Sequence, residues 1–232
     1  MPSIDEDEED VECLQYKVIL LGDGSAGKTC IATRFAQGTF NQQYKQTIGL
    51  DFFIKRIHLP GNKEVAIQLW DIGGQSIGSK MVSKYIHGAH AVMLVYDITN
   101  YDSFQNLDDW YRLVRRTFRD SDKMPYITLV GNKCDLSHVR AVRMDLAHRF
   151  ADENGMCSYF MSAKSGDQVH ACFNHVAATL SGVKLSRADI DEARNVVTAQ
   201  IVKHQQHDPN VNKGKVPDYL GRGKKAGGCL IQ

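Results

Sequence analysis

The sequence of 232 residues lacks the cysteine and histidine spacings that mark metal centres and disulfide frameworks. Its six cysteines and nine histidines are scattered, and neither HExxH nor CxxC occurs. No secretory leader and no membrane-spanning apolar run is predicted. These absences disfavour a zinc site and a disulfide-stapled secreted fold, and they predict free thiols in a reducing compartment.

The chain also has little net charge, +1 at neutral pH. It therefore has no strong overall positive potential that would indicate nucleic acid as a partner. With 43% hydrophobic and 24% charged residues, the length suffices for one core plus tails rather than for two domains. Residues 5–10 are all acidic, whereas the C-terminal end is basic. We therefore expect an acidic disordered tail over residues 1–12, one folded domain over 13–184 and a C-terminal tail over 185–232.

The first apolar run is followed by a phosphate-binding loop pattern, Gly-x-x-x-x-Gly-Lys-Thr. Its glycines allow successive backbone N–H groups, backed by the N-terminus of a following helix, to point at polyphosphate oxygens. Lys28 supplies positive charge for the terminal phosphates, and the Thr29 hydroxyl is placed to ligate Mg²⁺. The residues assigned to nucleotide binding in this segment are Gly22, Asp23, Gly24, Ser25, Ala26, Gly27, Lys28, Thr29 and Cys30.

Strand-like and helix-like segments alternate up to about residue 184. This pattern predicts an α/β fold of the P-loop NTPase type, with a mostly parallel six-stranded sheet, helices on both faces and ligands beyond the carboxyl ends of the strands. A polar segment, 38–49, is predicted to be a mobile loop, and 186–203 has helical composition. The expected strands are 14–21, 51–59, 65–71, 91–96, 126–130 and 157–161; the expected helices are 28–36, one ending near His87, 103–118 with Asp102 or Ser103 as N-cap, 140–153 and 167–180.

The third strand ends in Trp-Asp-Ile-Gly-Gly-Gln, a pattern suited to phosphate chemistry. Asp71 can hold the Mg²⁺ shell, and the N–H of Gly74 can meet a terminal phosphate. Gln75 can then orient the attacking water. We therefore assign Gln75 and Lys28 as catalytic residues.

Two further motifs follow the last two strands and indicate guanine as the base. Asn132, Lys133 and Asp135 form the pattern Asn-Lys-x-Asp, whose carboxylate can accept hydrogen bonds from N1–H and the exocyclic amine of guanine. Adenine offers no matching pair of donors and would leave buried polar groups unsatisfied. The second motif, in which a backbone N–H can meet the guanine carbonyl, comprises Ser162, Ala163 and Lys164.

With these motifs in place, residues 14 to about 184 resemble a small GTPase of the Ras superfamily, and more closely a Rab protein. The combination of Thr-Ile-Gly-Leu-Asp-Phe-Phe, Trp-Asp-Ile-Gly-Gly-Gln and a single C-terminal cysteine resembles the atypical Rab subfamily numbered twenty-eight. The Rab-like stretches are Ile48-Gly49-Leu50-Asp51-Phe52, Ile67-Gln68-Leu69-Trp70-Asp71, Tyr85-Ile86-His87-Gly88-Ala89 and Leu94-Val95-Tyr96-Asp97-Ile98-Thr99.

The resemblance implies roles for residues that no spacing marks. Thr47 is expected to bind Mg²⁺ only in the GTP state, and Phe40 to pack on the guanine edge. Phe52, Trp70 and Tyr85 resemble the aromatic triad that meets effectors, although a core role for each stays open. Activating proteins and exchange factors are implied as partners. The chain departs from the Rab pattern at residues 72–73 and 76–80, so regulators that grip the usual residues there are not expected to act on it.

The last four residues, Cys-Leu-Ile-Gln, fit a prenylation box in which the final glutamine favours farnesyl on Cys229. A single prenyl chain gives reversible membrane binding, which nearby lysines and arginines strengthen on anionic membrane. We expect a monomer that cycles between the cytoplasmic face of membranes and the cytosol, with a prenyl-binding carrier as partner.

The leading hypothesis is therefore a farnesylated Rab-like GTPase in membrane or ciliary trafficking, the ciliary part being implied by the subfamily resemblance alone. A metabolic P-loop kinase or ATPase is a second possibility, against which Asn132, Asp135 and Ala163 argue. A scaffold that holds nucleotide without cycling is a third. Gln75 and Thr47 argue against the scaffold, but the altered residues after Gln75 keep it open.

Overall fold

Strands and helices alternate along the chain, as the apolar runs predict. The computed structural model describes residues 14–43, 45–74, 77–78, 80–194 and 200–201. The strands are β1 (Leu14–Leu21), β2 (Thr39–Phe40), β3 (Leu50–Leu59), β4 (Lys63–Ile72), β5 (Ala91–Asp97), β6 (Tyr126–Asn132), β7 (Cys157–Phe160) and β8 (Gln200–Ile201). The helices are α1 (Lys28–Gln37), α2 (Lys80–Ile86), α3 (Tyr101–Gln105), α4 (Leu107–Thr117), α5 (Met144–Glu153), α6 (Val169–Ser181) and α7 (Arg187–Arg194), with a 3₁₀ helix at Cys134–Val139.

Six strands form one mixed sheet in the order β3-β4-β1-β5-β6-β7. The β3–β4 pair is antiparallel, and it is joined by a turn at residues 60–62. All the other neighbours in this sheet are parallel. This confirms the predicted α/β fold with its mostly parallel six-stranded sheet.

Strand β1 shows why the central strands are continuously apolar. Val18 and Leu20 pack with α1 and α6 on one face of the sheet, whereas Ile19 and Leu21 pack with α2, α4 and α5 on the other. Successive side chains of a strand point to opposite faces, so a strand covered on both faces is apolar at every position. The two clusters hold the sheet rigidly between helices, with the carboxyl ends of the parallel strands at one edge.

The helix predicted over residues 103–118 is in fact two helices, α3 and α4, with Asn106 between them. The N-cap of α3 is Asn100, not Asp102 or Ser103. Its side-chain oxygen accepts the backbone N–H groups of Asp102 at 3.0 Å and Ser103 at 3.3 Å. The Ser103 hydroxyl instead donates to the Asn100 carbonyl over 2.7 Å.

The helix predicted over residues 140–153 begins later, at Met144. The backbone N–H groups of Ala141 and Val142 both donate to the Ile98 carbonyl, at 2.8 and 3.0 Å. These tertiary hydrogen bonds hold the segment after the 3₁₀ helix beside the end of β5. The helical turn that the composition favours is therefore not formed there.

Among the described residues of the predicted helical segment 186–203, α7 confirms the prediction, whereas the two described residues after it do not. Gln200 and Ile201 form β8, which pairs in parallel with Thr39 and Phe40 of β2. The polar loop predicted over residues 38–49 therefore begins with a paired strand.

Several predicted features lie outside the described residues, namely the acidic tail, Gln75 and Cys229. Within the described part, no helix combines the length and apolarity needed to cross a bilayer.

Candidate nucleotide-binding site

A cavity of about 520 Å³ opens at the carboxyl edge of the sheet. It is lined by the phosphate-binding loop, the polar segment after β2, the glycines after β4, the segment after β6 and the loop after β7. A cavity of this size accommodates a small organic ligand. The structure thus brings together the motifs that the sequence analysis placed at separate strand ends.

The phosphate-binding loop has a conformation that two of its glycines make possible. Gly22 has φ +139°, and a Cβ there would lie 2.0 Å from the Val95 carbonyl oxygen. Gly27 has φ +88°, and a Cβ would lie 2.3 Å from Asn132 Nδ2. The loop therefore packs directly on β5 and on the Asn132 amide, with no room for a side chain at either position.

Lys28 lies at the floor of the site and is only 6% exposed. Its ammonium donates to the carbonyls of Gly22 at 2.7 Å and Asp23 at 2.8 Å. Burial lowers the pKa of Lys28 to about 8, against the opposing effect of the Asp71 and Asp23 carboxylates. A bound polyanion would stabilise the charged form, so the loop is prepared for phosphate.

Three oxygen-bearing side chains from three segments converge beside Lys28. Thr29 Oγ1 donates to Asp71 Oδ2 over 2.5 Å and lies 2.8 Å from Thr47 Oγ1. Thr47 Oγ1 lies 3.3 Å from the same carboxylate oxygen. Asp71 is fully buried, and burial raises its pKa.

This cluster fits a Mg²⁺ ion. Hydroxyl and carboxylate oxygens suit Mg²⁺, which binds proteins through few side chains and completes its shell with water and phosphate oxygens. Asp71 Oδ1 is buried and has no hydrogen-bond partner among the described residues. Within the same part of the chain, no cluster of three or more His, Cys, Asp or Glu side chains is arranged as a metal site, so a site built by the protein alone is not indicated.

Asn132 connects the phosphate-binding loop to the loop after β7. Its Nδ2 donates to the Ala26 carbonyl over 2.8 Å, and its Oδ1 accepts the Ala163 N–H at 3.1 Å. The residue is 2% exposed. Asn132 therefore fixes the spacing between the two ends of the cavity.

Asp135 faces the same loop. Its Oδ1 accepts the Ser162 hydroxyl over 2.7 Å, and its Oδ2 lies 3.8 Å from the Lys164 ammonium. Lys133 has φ +69° and pairs with Asp97 over 2.6 Å. The Asp135 carboxylate is thereby held at the cavity, which it lines.

The side chain of Asp23 is engaged elsewhere. It accepts Asn106 Nδ2 at 2.6 Å and Trp110 Nε1 at 3.0 Å, both on the α4 side. Sequence reasoning missed these two partners, and it also missed Asp97 and the buried Arg34. Asn106 and Trp110 are four positions apart, the spacing of one helix face, which is a signal that could have been read.

The aromatic residues fall into two environments. Phe52 is 48% exposed and meets Trp70 edge-to-face, with ring centroids 5.7 Å apart. Trp70 is half-buried beneath Lys17, whose ammonium lies 4.0 Å from the ring centroid, and Tyr85 packs against the core. Phe40 lines the cavity. Surface exposure thus singles out Phe52, and a core role for Trp70 and Tyr85 stays open.

Comparison with known proteins agrees with these motifs. The model of the Ras family matches residues 17–182. Ras-related protein Rab-28 of Caenorhabditis elegans is 42% identical over 187 residues, which are 81% of this chain and 75% of that protein. GTP-binding protein YPTM1 of Zea mays is 38% identical over 169 residues, 73% of this chain and 79% of that protein. Ras-related protein Rab-13 of Mesocricetus auratus is 37% identical over 162 residues, 70% of this chain and 78% of that protein.

The family match, over residues 17–182, includes every motif around the cavity. Ras-family GTPases bind guanine nucleotide with Mg²⁺ and act with regulators and effectors. The chain belongs to the Ras family of small GTPases, as a Rab-like molecular switch that hydrolyses GTP.

Proposed function

We propose that this GTPase regulates membrane trafficking through effectors that bind its GTP state. The observation that carries the proposal is the contact of Thr47 with Thr29, at 2.8 Å between the hydroxyl oxygens. Thr47 belongs to the polar segment after β2, whereas Thr29 belongs to the phosphate-binding loop. A bound ion that draws on both hydroxyls would link the position of that segment to the nucleotide.

Thr29, Thr47 and Asp71 are the residues that would hold Mg²⁺. When bound, the ion would supply positive charge to the phosphates. Lys28 adds its ammonium charge, and the N–H of Gly74 faces the terminal phosphate. A Cβ at Gly74 would lie 2.2 Å from the Gly24 nitrogen, so only glycine lets this backbone lie against the phosphate-binding loop.

Guanine is recognised by Asp135 and by the loop after β7, residues 161–168, which we call the base loop. The Asp135 carboxylate accepts from the base, while a backbone N–H of the base loop donates to the guanine carbonyl. Asn132 supports both ends through its two hydrogen bonds. Phe40 covers the edge of the base.

Turnover depends on Gln75, which orients the attacking water. Neither 38–49 nor 73–79 contains an arginine, so the intrinsic rate is slow, on the order of 10⁻⁴ to 10⁻³ per second. An activating protein that supplies positive charge accelerates the reaction. An exchange factor restores the GTP state.

Membrane attachment is assigned to farnesyl on Cys229, at the end of a tail over residues 185–232. A folded domain over 13–184 and an acidic tail over 1–12 complete the organisation. The single lipid allows exchange between membrane and cytosol with the help of a prenyl-binding carrier. The resemblance to the Rab subfamily numbered twenty-eight favours ciliary membranes among the destinations.

The proposal is tested by capturing proteins from a cell extract on two forms of the full chain. One is Gln75→Leu loaded with GTP, and the other is Thr29→Asn, held in the GDP-like state. Trafficking components are expected only on the first form. A Phe52→Ala change in the Gln75→Leu background should reduce that capture, because Phe52 is the exposed member of the aromatic group.

A scaffold that holds nucleotide without cycling is the competing function. The departures from the Rab pattern at residues 72–73 and 76–80 favour it, since they replace residues that Rab regulators usually grip. Under this alternative, both forms capture the same proteins, and wild-type chain loaded with GDP captures them as well.

A further inference from the structure

Arg34 is a buried arginine that belongs to none of the nucleotide motifs. It lies in the last turn of α1 and is 2% exposed. No carboxylate pairs with it in the part of the chain that the structure describes. Its guanidinium donates instead to three backbone carbonyls: Nε to Ala163 at 2.9 Å, Nη1 to Gly38 at 3.2 Å, and Nη2 to Lys164.

The first of these contacts fixes one peptide group of the base loop. The peptide between Ala163 and Lys164 has its carbonyl held by Arg34, while its N–H, which belongs to Lys164, has no partner among the described residues. In a trans peptide the C=O and N–H bonds point in opposite directions. Ala163 and Lys164 line the cavity, and Arg34 does not. The Lys164 N–H is therefore directed away from Arg34.

We infer that Arg34 is a positioning residue for base selection, which orients the Lys164 N–H towards the carbonyl oxygen at position 6 of guanine. The inference rests on the proposed function, in which the base loop receives guanine. The Ala163 N–H already donates to Asn132, whereas the Lys164 N–H belongs to the peptide that Arg34 holds and is the donor that Arg34 can orient. Adenine carries an amino donor at position 6, and an N–H fixed towards it would meet no acceptor.

The shape of the base loop suits an arginine at this position. A planar guanidinium presents several N–H donors in a fixed geometry, which lysine cannot reproduce. Gly166 has φ +90°, and a Cβ there would lie 3.3 Å from Arg34 Cζ. The guanidinium thus fits against the loop backbone as well as bonding to it. Its contact with Gly38 joins the base loop to the start of the segment that carries Thr47.

The test compares affinities for three diphosphates by competition. 6-Thio-GDP replaces the carbonyl oxygen by sulfur, a weaker acceptor, and keeps both donors that face Asp135. IDP keeps the carbonyl and lacks the exocyclic amine. The ratio of GDP to 6-thio-GDP affinity therefore reports on the base-loop N–H, and the ratio of GDP to IDP affinity reports on Asp135.

The variants are Arg34→Gln and the more conservative Arg34→Lys, with Arg149→Gln on the exposed side of α5 as control. Arg34→Gln should narrow the preference for GDP over 6-thio-GDP by about threefold to tenfold, the effect of one misaligned hydrogen bond, with Arg34→Lys intermediate. The preference for GDP over IDP should stay constant. Circular dichroism with GDP bound checks that each variant is folded.

Equal losses of affinity for all three diphosphates would show that Arg34 is merely structural and overturn the inference, while leaving the proposed guanine site intact. If the wild-type chain itself does not distinguish GDP from 6-thio-GDP, the base-loop contact of the proposed function fails, and the inference fails with it. If Arg34→Gln does not fold, Arg34→Lys decides by the same two ratios.

Discussion

Trp110 donates its indole N–H to the Asp23 carboxylate over 3.0 Å, which joins α4 to the phosphate-binding loop. Trp110 is fully buried, so removal of the Asp23 carboxylate leaves a buried donor without this partner. We expect Asp23→Ala to lower the free energy of unfolding of the GDP-bound protein by about 2 kcal/mol. Urea denaturation measures this, with Asp108→Ala as control. Among the described residues, Asp108 pairs only with surface Arg112 on the same helix, and its loss should cost less than about 1 kcal/mol. Similar losses for the two variants would contradict the prediction.

The Thr47 hydroxyl is expected to matter for GTP and not for GDP. Thr47→Ala should raise the Mg²⁺-dependent dissociation rate of a non-hydrolysable GTP analogue on the order of tenfold, because one oxygen of the cluster with Thr29 and Asp71 is lost. GDP release should change little. Stopped-flow release of fluorescent nucleotide, with and without EDTA, gives both rates. Thr33→Ala is the matched control, since that hydroxyl donates to the Thr29 carbonyl and not to the cluster. Equal acceleration of GDP and analogue release would refute the role.

The base specificity should shift from guanine towards xanthine when Asp135 is changed to asparagine. The amide offers a donor to the C2 carbonyl of xanthine and no longer accepts two hydrogen bonds from guanine. Competition between GDP and XDP should therefore shift towards XDP. Asp152→Asn, on the exposed face of α5, should leave the preference for GDP unchanged. Undiminished guanine selectivity in Asp135→Asn would remove Asp135 from base recognition.

Gln75→Leu should abolish stimulated GTP hydrolysis without weakening GTP binding, because leucine cannot orient the attacking water. Phosphate release in single-turnover assays with an activating extract is the measurement. Gln68→Leu is the control, since Gln68 donates to Gln15 on the exposed surface of β4 and β1. Unchanged turnover in Gln75→Leu would exclude this residue from the mechanism.

Nucleotide affinity should fall as the pH rises through the pKa of Lys28. In the free protein burial lowers that pKa to about 8, and bound phosphate raises it again, since the ammonium then has an anion beside it. At a pH between the Lys28 pKa of the free protein and the higher Lys28 pKa of the complex, nucleotide binding is accompanied by proton uptake. The affinity for nucleotide therefore decreases as the pH rises above about 8. Titration calorimetry at pH 8.5 in two buffers of different ionisation enthalpy counts the protons. Zero uptake would show that the Lys28 pKa does not change on binding.

The sequence predicted the sheet because its central strands are apolar on both faces, as Val18 to Leu21 illustrate. It predicted the phosphate-binding loop because glycine is required where the backbone approaches Val95 and Asn132. Helix boundaries were predicted less well. The sequence prediction named Asp102 or Ser103 as the N-cap, and only the folded structure shows that Asn100 takes that place.

Other features could not be predicted from local sequence, because they depend on contacts between residues that are far apart along the chain. Residues 140–143 have helical composition but hydrogen-bond to Ile98. The pairing of β8 with β2 joins positions about 160 residues apart, and no periodicity signals it. In the sequence, Arg34 looks like an ordinary arginine at the end of a helix. Its proposed role depends on hydrogen bonds to the carbonyls of residues 163 and 164, which only the folded structure brings close to it.

The short pairing of β2 with β8 also has a mechanical consequence. Ile201 lies beside Phe40, which lines the cavity, and Cys229 follows Ile201 by 28 residues. With a lipid at Cys229 embedded in a bilayer, tension along the tail would reach β8 and be transmitted to β2 through two residues of backbone pairing. The membrane anchor and the nucleotide pocket would then be mechanically coupled. Thermal motion of the anchor in the membrane would exert force on the edge of the pocket.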